Sequence, residues 1–228
     1  SLSHCRAHPR CASVDMLCSL LLAAALAAPP GPARAPLVAA PATDVPAPSS
    51  VPLLPSGLAS PMPGGYLAGY PIDTGLDLAG IKKPVFAIAA GSVDYAEDGH
   101  TAWNAPRDSK YAVRIRLDEP IPWRDRLITH VWYAHLHSLA FEQAEGERPR
   151  RRVEKGELLG ISGVANGSWH LHLGMLLGGD VSQRWGSYLV EDEIRAVLAG
   201  SGAPPLRKGS KLADFPRPSR RTAATPRR

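Results

Sequence analysis

Short runs of β-branched and aromatic residues, separated by Gly, Pro and Asp, follow one another along the chain from Gly64 onward. Runs of this length with turn residues between them are typical of antiparallel β structure. The pattern predicts six strands, over residues 85–89, 92–96, 111–117, 127–136, 158–162 and 169–176. Two polar segments between these runs, 99–110 and 142–152, are expected to be loops.

One stretch near the C-terminus has helical periodicity instead. Residues 190–200 contain three consecutive acidic residues at their start, then apolar residues at helical spacing, and end with Gly200. Acidic residues favour the first turn of a helix, and glycine favours its end. One short helix is therefore predicted, within an extension that covers residues 181–202.

The N-terminal segment, residues 1–35, differs in composition from the β-rich part. An apolar run, Leu17–Ala28, follows Arg6 and Arg10, and the segment ends in Ala-Arg-Ala. This order is typical of a secretory signal peptide, so export to the periplasm or the cell exterior is expected. Two alternatives stay open: an apolar leader that remains attached, and a start at Met16, which would weaken the signal.

The segments on either side of the β-rich part are expected to lack a core. Residues 36–63 are rich in Ala and Pro and nearly uncharged, which predicts an extended linker. Residues 203–228 hold eight Lys or Arg and one Asp, and this tail dominates the net charge of +5. Its composition predicts disorder. Because its only aromatic residue is Phe215, contact with anionic envelope polymers is favoured and no nucleic-acid partner is predicted.

Five side chains are candidates for chemistry: Asp73 and Asp77 in one turn, His135, and the pair His170 and His172. Alternate side chains of a strand share a face, so the last two imidazoles should point the same way. Imidazole and carboxylate groups are ligands of zinc. Taken singly each signal is weak, because a His-x-His pair is usually two polar positions on a solvated strand and Asp77 is more often a turn residue.

Taken together and in this order, the motifs resemble those of the lysostaphin-like (LytM-type) zinc peptidases, which cut peptide cross-bridges in bacterial cell walls. The motifs are Asp-Thr-Gly-Leu-Asp at 73–77, Tyr-Ala-His at 133–135 and His-Leu-His at 170–172. The resemblance covers roughly residues 65–177. It implies a domain over residues 64–180 that is mainly β, an antiparallel β-sandwich of the duplicated hybrid motif type, flanked by the short helix and disordered tails.

The resemblance also implies a role for each candidate residue. Asp77 and His172 match ligands of a single Zn2+ ion, while His135 and His170 match the residues that polarise the attacking water and steady the transition state. Asp73 stands where the family has its first ligand His. A carboxylate there would make the ion less electron-withdrawing and would shift the preference toward harder ions such as manganese.

Three interpretations of Asp73 stay open. It binds the metal directly, or it lies behind the site while His100 or His130 binds, or the site holds no metal. The first two predict an exported endopeptidase that acts on peptidoglycan cross-link peptides. The third predicts an inactive relative that binds the wall or activates another wall hydrolase. A monomer is expected in each case.

Overall fold

The computed structural model describes residues 50–69, 74–101, 105–181 and 186–214. The strands formed by these residues are β1 (Tyr66–Leu67), β2 (Leu76–Ala79), β3 (Pro84–Phe86), β4 (Gly91–Asp98), β5 (Tyr111–Trp123), β6 (Arg126–Leu139), β7 (Arg152–Val153), β8 (Leu158–Ala165) and β9 (Ser168–Leu177), followed by the helix α1 (Glu191–Ala199). All strand pairs are antiparallel. The prediction of a mainly β, antiparallel fold with one short C-terminal helix is confirmed.

The six predicted strands correspond to β3, β4, β5, β6, β8 and β9. The sequence pattern missed β1, β2 and β7, which have two to four residues each. Alternation cannot be recognised in so few residues. In the two predicted loops, the described residues 99–101, 105–110 and 142–151 lie outside the strands and the helix, whereas Arg152, the last residue of the second predicted loop, begins β7.

The strand order places three distant segments side by side. Along the sheet the order is β1-β2-β9-β8-β6-β5-β4-β7, with additional pairing of β9 to β6 and of β3 to β8. In this register His172 of β9 lies opposite Asp77 of β2 on one side and opposite Ala134 of β6 on the other. The centre of the sheet therefore collects the motifs that are far apart in sequence.

One face of these strands forms the core. Leu76 and Leu78 of β2, and Leu171 and Leu173 of β9, have no exposed surface. Each buried leucine contributes about 1.5–3 kcal/mol relative to an exposed one. Because side chains alternate along a strand, Asp77 and His172 are directed away from this core, toward the opposite face. Burial of the leucines thus fixes which way the polar residues point.

Residues 50–63 differ from the extended linker that their composition suggested. Leu54 and Met62 are buried in the core, and the Ala59 N–H donates to the carbonyl of Ile88 at 2.9 Å. These residues pack individually, without a repeating apolar period, so no pattern in the sequence indicates their burial. Residues 36–49 of the expected linker lie outside the described residues, as does the predicted signal peptide, 1–35.

The segment 203–214 likewise packs against the domain instead of forming part of a disordered tail. Leu212 is buried, and its N–H donates to the carbonyl of Gly65 at 2.8 Å, while the Gly209 N–H donates to Leu67 at 2.7 Å. Residues 215–228 lie outside the described residues. No helix in the described ranges has the length and apolarity needed to cross a membrane.

Candidate metal centre

The pairing of β2 with β9 brings Asp77 into contact with both members of the His-x-His pair. The Nδ1 of His172 donates to Oδ1 of Asp77 at 2.9 Å, and the Nε2 of His170 lies 3.8 Å from the same oxygen. The side chains of Asp77 and His172 are 15% and 12% exposed, so this contact is largely shielded from solvent. The structure therefore brings together three of the five predicted site residues around one carboxylate oxygen.

The tautomer of His170 follows from its backbone contact. Its Nδ1 lies 3.0 Å from the carbonyl oxygen of Ser168. A carbonyl can only accept, so Nδ1 carries the proton and the Nε2 of the neutral ring is a free acceptor. That acceptor faces Asp77, which also only accepts when it is ionised. Two acceptors in this position call for a proton, a water or a cation between them.

His135 reaches the same site through an irregularity in β6. It follows Ala134, and ordinary alternation would place it on the core face with Tyr133. Between Tyr133 and Leu136 the pairing with β5 shifts, and the backbone of His135 has a positive φ of 62°. Its ring consequently lies 5.2 Å from the ring of His170, and its Nδ1 is buried without a hydrogen-bond partner among the described residues.

Burial and neighbouring charges set the protonation of the site. Burial, together with the nearby imidazoles of His172 and His170, lowers the pKa of His135 to about 4. For Asp77, burial raises the pKa, but the hydrogen bond from His172 and the surrounding imidazoles outweigh this effect, so that the pKa lies below its ordinary value. An ionised carboxylate and a neutral imidazole are the forms that bind metal ions.

The ring of His172 is held between two neighbours. An ideal Cβ at Gly75 would lie 2.3 Å from the Nε2 of His172, closer than any side chain can approach, and φ at Gly75 is +101°. On another side the ring of Trp132 meets that of His172 edge-on, with 5.3 Å between centroids. Gly75 therefore leaves room for the imidazole in the position from which Nδ1 reaches Asp77.

The donor types fit a divalent cation, although the described residues supply an incomplete set. No group of three or more His, Cys, Asp or Glu within the described ranges is placed to hold a metal ion. Asp77 and His172 provide one carboxylate and one imidazole in direct contact, and the unpartnered Nδ1 of His135 lies in the same cleft. Asp73, expected as the third ligand, lies outside the described residues.

The two imidazoles considered as replacements for the missing ligand are engaged elsewhere. His100 stacks on the ring of Tyr95 at 3.8 Å and pairs with Glu97 at 2.9 Å. His130 hydrogen-bonds Thr129 at 2.9 Å and lies four positions before Ala134 on β6. At the rise of an extended strand this separation is about 13 Å. Neither residue is placed as a third ligand beside Asp77 and His172.

The site lies in an open cleft of about 940 Å³. Besides the four site residues Asp77, His135, His170 and His172, the cleft is lined by aromatic side chains and by a lysine: Tyr66, Trp132, Trp169 and Lys208. Sequence reasoning missed Lys208, because it belongs to the segment that was expected to be disordered. Its ammonium is anchored by the buried Glu191 at 3.4 Å.

No protein-family model and no curated protein matches the chain. Solved structures do resemble it. A Pseudomonas aeruginosa protein assigned to the M23 peptidases has 19% identity and a TM-score of 0.42 over 63% of this chain and 50% of that protein. Lysostaphin of Staphylococcus simulans has 19% identity and a TM-score of 0.37 over 56% of this chain and 46% of lysostaphin. A zinc-containing peptidase of Vibrio cholerae has 13% identity and a TM-score of 0.36 over 56% of this chain and 37% of that peptidase.

The chain thus spans half or less of the length of these three proteins. One of the three is lysostaphin, and the motifs of this chain resemble those of the lysostaphin-like peptidases.

Proposed function

We propose that the chain is an exported, metal-dependent endopeptidase of the lysostaphin type that cleaves the cross-link peptides of peptidoglycan. One observation supports this proposal above all. Asp77, His170 and His172 converge on one carboxylate oxygen, within an open cleft that His135 also lines. Carboxylate and imidazole groups gathered in this way are the donor set of a hydrolytic metal site.

In this proposal the ligands and the proton-transfer groups are different residues. Asp77 and His172 hold the ion, which is zinc by the family resemblance, and Asp73 supplies a third ligand. When bound, such an ion polarises a water and the scissile carbonyl. Trp132 and Gly75 keep the ring of His172 in place from two sides. Ligand orientation by such neighbours strengthens metal binding.

His170 is suited to accept a proton from the attacking water. Its Nδ1 is committed to the Ser168 carbonyl, so its Nε2 is the basic nitrogen, and that nitrogen lies toward Asp77. His135 is suited to steady the charge that develops on the carbonyl oxygen. Its position depends on Tyr133, whose hydroxyl oxygen accepts the buried Ile88 N–H at 2.9 Å and so anchors β6 just before the irregularity.

The shape of the cleft suits an extended peptide. Its volume of about 940 Å³ is large enough for several residues, and Tyr66, Trp132 and Trp169 form apolar walls. Lys208, whose ammonium pairs with Glu191 at 3.4 Å, adds a positive charge to one wall of the cleft. Export through the segment 1–35, residence in the cell envelope and contact of the basic tail with anionic wall polymers belong to the same proposal.

A second candidate function is a non-catalytic adaptor that binds the wall or activates another wall hydrolase. The observation that favours it is the donor count: the described residues contain no group of three or more His, Cys, Asp or Glu side chains placed to hold a metal ion. In addition, Asp73 stands where the family resemblance expects a histidine. The cleft would then serve for binding alone.

Metal content separates the two candidates. For the enzyme, the purified protein should bind about one equivalent of a divalent ion, as a mononuclear site requires. His172→Ala should lose the ion, while the matched variant His137→Ala, which removes an exposed histidine of the same sheet, should retain it. A folded protein that binds no metal in any of the three forms supports the adaptor.

Restoring the family residue provides the activity test. Asp73→His should create or strongly increase the cleavage of cross-linked peptides if position 73 limits the natural protein. Inductively coupled plasma analysis of the same sample reports whether the variant holds its ion. If neither the natural protein nor Asp73→His cleaves peptides or binds metal, the hydrolase proposal is refuted.

A further inference from the structure

A second hollow, of about 430 Å³, lies outside the cleft and shares no residue with it. It is lined by three arginines, one serine, one leucine and one aspartate: Arg116, Arg148, Arg150, Ser92, Leu117 and Asp118. Strand pairing explains part of this arrangement. Ser92 of β4 lies opposite Arg116 of β5 on one side and opposite Arg152 of β7 on the other.

The positive charge of the hollow is not neutralised from within. Its acidic residue, Asp118, is already engaged, because the guanidinium of Arg152 donates to both of its carboxylate oxygens. Arg116 and Arg148 have no carboxylate partner in the part of the chain that the structure describes. Two guanidinium groups therefore face one small concavity with their charges unpaired.

The third arginine is fixed in place from behind. Arg150 donates through Nη1 to Asp94, whose side chain is only 6% exposed and which also accepts from Nε of Arg114 at 2.9 Å. The Nε of Arg150 is itself buried and has no acceptor among the described residues. A buried charged donor without an acceptor is unfavourable.

We propose that this hollow binds a phosphate group. The planar fork of a guanidinium matches two phosphate oxygens at once, and the Ser92 hydroxyl can donate one further hydrogen bond. The two unpaired charges of Arg116 and Arg148 match the charge of a phosphate dianion. The same chemistry occurs in free inorganic phosphate and in a phosphodiester polymer.

Titration calorimetry on the full chain tests the proposal, with inorganic phosphate and a glycerol phosphate oligomer as the two probes. The double variant Arg116→Gln/Arg148→Gln should bind phosphate at least about tenfold more weakly, since each charge-assisted contact contributes roughly that factor. The matched control Arg107→Gln/Arg207→Gln removes the same charge from exposed arginines outside the hollow, and its affinity should change by less than about twofold.

A third variant separates geometry from charge. Arg116→Lys/Arg148→Lys keeps both charges but loses the bidentate forks, and it should bind at an intermediate affinity. Tighter binding of the oligomer than of inorganic phosphate identifies a polymer as the source, while equal binding identifies the free ion. The proposal is overturned if the hollow and control variants lose equal affinity, or if the natural protein binds neither probe. Thermal unfolding of each variant checks that its fold is retained.

Discussion

Gly75→Ala is expected to damage the candidate metal centre through a single added methyl group. The new Cβ would lie 2.3 Å from Nε2 and 2.6 Å from Cε1 of the His172 ring. Since these distances are impossible, the ring or the backbone must move. Displacement of the ring breaks the hydrogen bond of 2.9 Å from His172 to Asp77. Gly75 also has a φ of +101°, which alanine adopts only with strain.

The two costs can be estimated separately. The left-handed backbone costs an alanine about 1–2 kcal/mol. Loss of a largely buried hydrogen bond to a charged carboxylate costs about 1.5–3 kcal/mol more. The free energy of unfolding should therefore fall by about 2.5–5 kcal/mol in Gly75→Ala. Affinity for a divalent ion should fall by at least about tenfold, because the orientation of one ligand is lost.

Gly146→Ala is the matched control. Gly146 has a φ of +83° in the turn between Ala144 and Glu147, and an added Cβ there would meet nothing within 4 Å. It should lose only the backbone cost of about 1–2 kcal/mol and keep its metal affinity. Urea unfolding in the presence of a chelator, followed by metal titration, measures both quantities. Equal losses in the two variants would show that Gly75 does not hold the His172 ring, and the argument would be wrong.

Three further predictions concern positions around the site and the core. His135→Gly should destabilise the protein by about 1–2 kcal/mol less than His170→Gly in urea unfolding, because glycine adopts the positive φ of 62° at position 135 without strain. Equal losses would show that the backbone of His135 is not strained. Asp94→Asn removes the buried charge that faces Arg114 and Arg150. It should lower the free energy of unfolding by roughly 3–5 kcal/mol, and a loss below about 1 kcal/mol would mean that the network is solvent-screened. Truncation after residue 202 should lower the melting temperature clearly, whereas truncation after residue 214 should not, since Leu212 packs in the core; equal melting temperatures would refute that packing.

The strands that the sequence predicted are those long enough to show alternation. In β9 the leucines alternate with His170 and His172, so both the strand and the shared face of the imidazoles could be inferred before the structure. β2 has only four residues, and it pairs with a strand that is distant in sequence: Asp77 and His172 are 95 positions apart. No local pattern encodes such a pairing. The family resemblance implied only that Asp77 and His172 hold a common ion, not that their strands pair.

The packed segments on either side of the domain were missed for a different reason. Residues 50–63 and 203–214 have no apolar period, and they are held by backbone hydrogen bonds to neighbouring strands and by isolated apolar side chains such as Met62 and Leu212. Composition alone describes them as linker and tail. This packing also shapes the candidate site, because the segment 203–214 places Lys208 in the wall of the cleft.

The backbone of His135 bears on both candidate functions. Four residues other than glycine have a positive φ in the described ranges: Lys82, Arg124, His135 and Asn166. The others lie in turns, where such values are common, whereas His135 lies inside β6. A strained residue within a strand costs about 1–3 kcal/mol and persists only where the surrounding structure holds it. Here the irregular backbone turns the imidazole of His135 from the core face into the cleft. If the extra residue in β6 served packing alone, it would bury an apolar side chain. Because it places an imidazole in the cleft instead, we infer that this irregularity forms the cleft, with or without a bound ion.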